Sequence, residues 1–352
     1  MEWNEIYTLL KIISDRQLYA GDGDLNKIEE LVYPIIRILR DESNGTYEYS
    51  YSSNLVVIKS SEKEFIIPIN QFQENAVLLL SKLKEKTART FSIPEIETFI
   101  KSFNCNSLTA RSSVKSDIRI VIHDSRTGTM PELGFSIKSK IGRASTLLNA
   151  GRTTNFIYRI NKINLSKDQI LKINSIESRS KIRDRIFEIQ NLNGELEFTE
   201  TENSIFGNNL TLIDSSLPKI LSEILLIYYT TEYSKTKDLT NLVSIKNPIG
   251  YNIETEHPFY EYKIKRFLTD SALGMMPSTV WKGELDATGG NLIVREDGEV
   301  LCYHIYNRNE FEDYLLNHTK LDTASSNRHK FGTIYTENNQ HFVKLNLQIR
   351  FL

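Results

Sequence analysis

The sequence predicts an α/β protein. Three observations carry this: amphipathic helical stripes near the start, two alternating strand runs around a turn at mid-chain, and a C-terminal stretch of strand patterns.

The elements follow in order. Residues 5–40 read as helices, because Ile6, Tyr7, Leu9 and Leu10, and then Ile28, Leu31, Val32, Ile35 and Ile36, recur at helical spacing around an Ala20-Gly21-Asp22-Gly23-Asp24 turn. Strand-like runs follow at 47–59 and 64–69, then a helix over 71–86. A short helix is expected over 91–103, with Ser92 as cap, Pro94 in the first turn and Ile93, Ile96, Ile100 and Phe103 on one stripe. Ile118, Ile120 and Ile122 alternate in a strand over 116–124. A turn at 125–132 leads to a second strand over 133–139.

Beyond it, 145–150 suggests one or two helical turns stopped at Gly151, and 155–163 a strand. Helices are expected over 217–229, 258–273 and 310–316, with strands over 291–295, 299–306, 331–335 and 341–351. The polar stretches 191–209 and 235–252, interrupted by Gly and Pro, read as loops or boundaries. The expected division is 1–86, an N-terminal helical and strand region; 87–190, a catalytic core; and 191–352, a C-terminal region.

Composition narrows the function classes. At 352 residues with 40% hydrophobic and 25% charged side chains, the chain is ordinary globular protein. Cys105 and Cys302 lie far apart, so a reducing cytoplasm is the expected setting. The acidic start Met1-Glu2-Trp3-Asn4-Glu5 is unlike a signal peptide, and no apolar run reaches membrane-span length. Six scattered histidines argue against a zinc enzyme, and phosphate-cradling glycine motifs are absent. Asp22-Gly23-Asp24 opens like a calcium loop, but Tyr33 falls where the bidentate glutamate belongs. A net charge of −2 argues against a simple polyanion-coating protein. Charge is nonetheless clustered: from Leu133 to Lys167 there are seven basic residues and no Asp or Glu. A phosphate-tracking surface requires such a stretch, although an isolated basic run is most often a solvated face.

Hydrolysis of a phosphodiester needs a deprotonated water and an offset for charge building on phosphate. A divalent cation held by carboxylates, with a lysine beside it, supplies both. Asp117 precedes the Ile-rich strand, and Ser136 and Lys138, two residues apart, share one face of the next, while Phe135 and Ile137 take the other into a core. The competing reading is a plain hairpin with a surface lysine.

Asp117, the turn and Gly134-Phe135-Ser136-Ile137-Lys138-Ser139 resemble the PD-(D/E)xK nuclease core, with serine where the second acid normally stands. Lys115-Ser116-Asp117-Ile118, the run from Leu133 through Gly142, Ser145-Thr146-Leu147-Leu148-Asn149-Ala150, Thr154-Asn155-Phe156, the stretch 290–306, Phe311-Glu312-Asp313-Tyr314-Leu315, Thr319-Lys320, Ser325 and the ending Leu345-Asn346-Leu347-Gln348-Ile349-Arg350-Phe351 resemble HpaII-type restriction endonucleases. The resemblance implies a mixed central β-sheet flanked by helices, with N-terminal helical and C-terminal β-rich elaborations. It also implies a Mg2+-dependent type II restriction enzyme cutting double-stranded DNA at a short palindrome, CCGG in the family's prototype. A homodimer on DNA and a cognate DNA methyltransferase as genetic partner would go with it. Asp117 would be a metal ligand, the Ile137 backbone carbonyl a second, and Lys138 the catalytic lysine.

Ser136 leaves the site one carboxylate short; Glu97 or Glu95, Glu132 and Asp124 are the candidates to supply it. For DNA contact the candidates are Lys140, Arg143, Ser145, Thr146, Asn149 and Arg152 after the hairpin, and Thr319, Lys320, Ser325 and Arg328 near the end. Asn149 and Thr319 read equally well as helix caps or terminators. The rival functions are a repair or mismatch endonuclease, and a DNA-binding protein with an inactive nuclease core.

Overall fold

The computed structural model describes residues 2–42, 45–85, 92–105, 116–125, 127–142 and 144–352. Arg143 and the expected helix ends at Lys86 and Phe91 lie outside them. The chain forms two compact units: Met1–Ser145 with Ala272–Gly274 and Leu285–Tyr314, and Thr146–Ser271 with Met275–Glu284 and Leu315–Leu352.

In chain order the elements are α1 (Glu2–Asp15), β1 (Gln17–Gly21), β2 (Lys27–Glu42), β3 (Gly45–Ser52), β4 (Leu55–Lys59), β5 (Glu64–Pro68), α2 (Ile69–Glu85), α3 (Pro94–Ser102), β6 (Ile118–Ile122) and β7 (Glu132–Ser139). Then come β8 (Thr146–Leu148), β9 (Asn155–Asn161), α4 (Lys167–Asn174), α5 (Lys181–Asn191), β10 (Glu195–Thr201), α6 (Ser204–Ile213), α7 (Leu217–Thr230), α8 (Thr236–Lys246) and α9 (Phe259–Leu273). The last run is β11 (Gly290–Val294), β12 (Val300–His304), α10 (Arg308–Asn317), β13 (Thr319–Leu321), α11 (Ser326–His329), β14 (Ile334–Glu337), β15 (Gln340–Asn346) and β16 (Ile349–Phe351).

The first unit is built on a mixed sheet ordered β1-β12-β11-β7-β6-β2-β3-β4-β5, in which β7 runs parallel to β11 and antiparallel to β6. Because β1 also pairs with β2, six of these strands close into a ring and β3, β4 and β5 continue from it as a meander. One continuous core joins the sheet to its helices, with Ile6, Leu9, Leu10 and Ile13 of α1, Phe72 and Leu79 of α2 and Ile96 and Ile100 of α3 against Ile118, Ile120, Phe135, Leu292 and Cys302. The second unit holds a four-stranded sheet, β10-β9-β15-β14, and a three-stranded sheet, β13-β16-β8. Among the described residues no helix is long and apolar enough to cross a membrane.

Four expectations are corrected. The helix expected through residue 40 ends at Asp15, and residues 27–42 form the strand β2. Pro34 cannot sit inside a helix, and Ile28, Val32, Ile35, Ile36 and Ile38 are β-branched. A register shift against β1, where Ala20 faces Ile28 but Tyr19 faces Val32, breaks the alternation inside the stretch that gave the helical spacing. Residues 146–148 are a strand against β16 and not helical turns. The stretch 191–209 holds β10, whose Glu195, Glu197 and Glu200 mark an edge strand, and most of α6. The stretch 235–252 holds α8, which buries Leu239 and Val243, one turn apart.

The close approach of β11 to its neighbours rests on two glycines. A side chain at Gly289 would strike the Phe135 ring, and one at Gly290, where φ is +108°, would overlap the Tyr303 carbonyl oxygen. Gly290→Ala is therefore expected to destabilise the protein by about 3 kcal/mol or more, combining backbone strain with a clash. Urea unfolding of the variant measures this.

Candidate active site

Antiparallel pairing sets Ile118 opposite Phe135, and the Asp117 N–H donates to the Phe135 carbonyl at 2.8 Å. Asp117, one residue before β6, thus lies level with Ser136 and on the same face. The side chains meet: Ser136 Oγ donates to Asp117 Oδ2 at 3.1 Å, and Lys138 Nζ donates to Ser136 Oγ at 2.8 Å. The Ile137 backbone N–H also donates to Asp117 Oδ2, at 2.6 Å. Asp117, Ser136 and Lys138 therefore form one hydrogen-bonded chain, as the hairpin reading expects.

Burial differs along this chain. Ser136 is 1% exposed, whereas Asp117 and Lys138 are half-buried. Burial lowers the Lys138 ammonium below the ordinary lysine range, and the charges of Asp117 and Glu5 pull it back up. Glu5, on α1, was not singled out by sequence. It reaches Lys138 electrostatically because α1 packs on β7, a tertiary contact with no local signature.

The other candidate acids stand elsewhere. Glu97 caps its own helix, accepting from Ser92 Oγ at 2.6 Å and the Ile93 N–H at 3.3 Å, which with Lys101 holds its carboxyl below the usual range. Glu95 is exposed, and Glu132 pairs with Arg119 at 2.6 Å. Asp124 bridges Thr129 at the opposite end of β6, about 20 Å of strand from Asp117. Among the described residues no group of three or more His, Cys, Asp and Glu side chains is placed to hold a metal. Cys105 and Cys302 form no disulfide; burial pushes the Cys105 thiol up to about 12 and raises Cys302 further, so neither supplies a nucleophile near neutral pH.

The family model of the HpaII restriction endonuclease matches residues 1–351. The chain belongs to the HpaII restriction endonuclease family. Type II restriction enzyme HpaII of Haemophilus parainfluenzae is 53% identical over 357 residues, covering 100% of this chain and 97% of that protein. No solved structure matches the chain. Membership of the HpaII family fixes the activity class as a type II restriction endonuclease, a site-specific deoxyribonuclease.

An HpaII-family enzyme must also grip its substrate, and the DNA candidates separate by exposure. Lys140 is half-buried, Asn149 and Arg152 are exposed, and Lys140 and Arg152 carry no ion pair among the described residues. Ser145 is buried and closes the turn after β7 on the Ser139 carbonyl at 3.3 Å. Thr319 is fully buried, its hydroxyl donating to the Leu315 carbonyl at 2.7 Å. Ser325 caps α11 on the Arg328 N–H, leaving the Arg328 side chain exposed. Of the basic stretch, Arg159 and Lys162 are paired with Glu197 and Glu195 of the edge strand β10.

The small sheet makes an arrangement that sequence does not reveal. Its register sets Thr146, Arg350 and Lys320 side by side, and a bridge adds Lys235 beside Lys320. Arg350 is steadied by Asp322 at 3.1 Å. Arg350 and Lys235 were missed because only strand pairing brings them beside the candidates.

Ser136→Ala removes both side-chain links between Asp117 and Lys138. It is expected to slow cleavage about 10- to 100-fold, the worth of about 1.5–3 kcal/mol for hydrogen bonds to charged groups, while leaving the melting temperature within a few degrees. Single-turnover rates and thermal melts of the same preparation measure both.

Proposed function

We propose that this enzyme hydrolyses double-stranded DNA at a short palindrome resembling CCGG, using Mg2+ in a PD-(D/E)xK-type core. The observation that carries the reading is the hydrogen-bonded chain from Asp117 through Ser136 to Lys138 on adjacent strands. A mixed central sheet with an aspartate at the entry of one strand and Ser-x-Lys on the next supports that core.

The donor set fits a hard divalent cation. Asp117 offers a carboxylate oxygen, Ser136 a hydroxyl and Ile137 a carbonyl, all oxygen ligands of the type Mg2+ prefers. Alternation along β7 turns the Ile137 N–H and C=O toward the β6 side, beyond that strand's first residue. Asp117 Oδ2 is held by two donors, and Oδ1 has no hydrogen-bond partner among the described residues. When bound, the cation would polarise the scissile phosphate and acidify a water. Asp117 orients that site, and the Lys138 ammonium, fixed by Ser136 Oγ, offsets charge on the phosphate.

The exposed cations Arg152 and Lys235, with the half-buried Lys140, Lys320 and Arg350, would track phosphates and base edges. A palindromic target calls for a two-fold pair of sites, hence a homodimer on DNA. A cognate methyltransferase would protect the host's own copies of the target.

Lys138→Ala and Asp117→Ala are each expected to abolish cleavage of CCGG-containing plasmid in Mg2+ while duplex binding persists. Either variant cutting at the wild-type rate overturns the assignment. Lys320→Ala and Lys235→Ala should weaken binding about equally on cognate and unrelated duplexes and flatten the log–log salt dependence by about 1 each. Fluorescence anisotropy across a salt series reads that slope.

A further inference from the structure

Strand β11 lies wholly in the interior, yet its second residue is an asparagine. Register places Asn291 beside Ser136, just as Leu292 lies beside Ile137. Side chains alternate, so Leu292 and Val294 join the hydrophobic core with Phe135, while Asn291 stands on the face of Ser136 and Asp117. Asp117, Ser136 and Asn291 thus form one polar row across three neighbouring strands. Gly289 and Gly290, by permitting close approach to Phe135 and Tyr303, set that register.

Asn291 is 0% exposed, and neither its Oδ1 nor its Nδ2 has a hydrogen-bond partner among the described residues. The neighbouring polar groups are committed elsewhere: Ser136 to Asp117 and Lys138, and the Tyr303 hydroxyl, on the strand beyond, to the Asp22 carbonyl. A buried amide with both ends unmet is costly, and a leucine or valine would fill the strand position at no such cost. An amide that offers both a donor and an acceptor in a closed polar site suits a bound water.

We propose that Asn291 is a further active-site residue, its amide holding a water in the hydration shell of the cation that Asp117 would bind. This rests on the nuclease reading above. A serine at position 136 leaves more of the cation's shell to water than a carboxylate would, and Asn291 fixes one of those waters in place.

Asn291→Leu and Asn291→Asp in the full chain test this. In chelator, Asn291→Leu is expected to melt at or above the wild-type temperature, because it removes an unpaired amide. It should bind a CCGG duplex in Ca2+ within threefold of wild type. Its Mg2+-induced rise in melting temperature should shrink, and plasmid cleavage should fall at least 100-fold. Asn291→Asp should keep cutting and reach half-maximal rate at a Mg2+ concentration at least threefold lower.

An Asn291→Leu enzyme that cuts within threefold of wild type with an unchanged Mg2+ profile overturns the proposal. So do two variants that both melt far below wild type in chelator and show an unchanged Mg2+ profile in their residual activity. If Asp117→Ala and Lys138→Ala are inactive while the Asn291 variants cut normally, this inference alone fails. If all four cut normally, the assignment of the active site to Asp117, Ser136 and Lys138 fails with it.

Discussion

The backbone N–H of Ile137 donates to Asp117 Oδ2, and much of the site's geometry depends on that bond. β6 begins one residue after Asp117, so the ladder between the strands is running out where the carboxylate stands. Oδ2 takes the place of the missing backbone acceptor and fixes the carboxylate to the strand that carries Ser136 and Lys138. The carbonyl of the same residue, Ile137, points to the same side of β7 as its N–H, toward Asp117. One bond therefore satisfies a strand end and orients the Asp117 carboxylate, and the candidate site costs the sheet no unpaired amide at this edge.

That arrangement holds only if β7 is itself held in register, and the pressure comes from both sides. On one side Asp117 pairs with Phe135 through the backbone; on the other, β11 runs parallel to β7 with Gly290 opposite Phe135. Phe135, fully buried, is the pivot: its ring fills the space that Gly289 leaves open, so the aromatic and the glycine specify each other. A slip of one residue would turn Ser136 and Lys138 into the core and bring Phe135 out of it. Hydrophobic burial thus enforces the placement of the polar groups on the opposite face of the strand.

The hairpin was legible because it is local. Alternation in Ile118, Ile120 and Ile122 and the two-residue spacing of Ser136 and Lys138 determine faces without reference to the rest of the chain. β2 was not, because the register shift between Ile28 and Val32 and the proline at 34 break its period, and the apolar residues around them imitate a helical stripe. β10 was hidden by glutamates that suit an edge but suggest a loop. Glu5 and Asn291 lie 112 residues before and 174 after Asp117 in sequence. Helix packing and parallel pairing bring them near, and neither leaves a short-range pattern. The same holds for Lys235 and Arg350 beside Lys320.

Serine at position 136 is also intelligible in electrostatic terms. The side chain is 1% exposed and about 3 Å from Asp117 Oδ2, so a carboxylate there would place two like charges in a poorly solvated space. One of the two would be driven toward its protonated form unless a cation were always bound. A hydroxyl avoids that conflict, because it donates to Asp117 and accepts from Lys138 at the same time. The site then contains a carboxylate and an ammonium bridged by a neutral group, stable before any ion arrives. The cost of the exchange would be a weaker intrinsic attraction for a cation at this position.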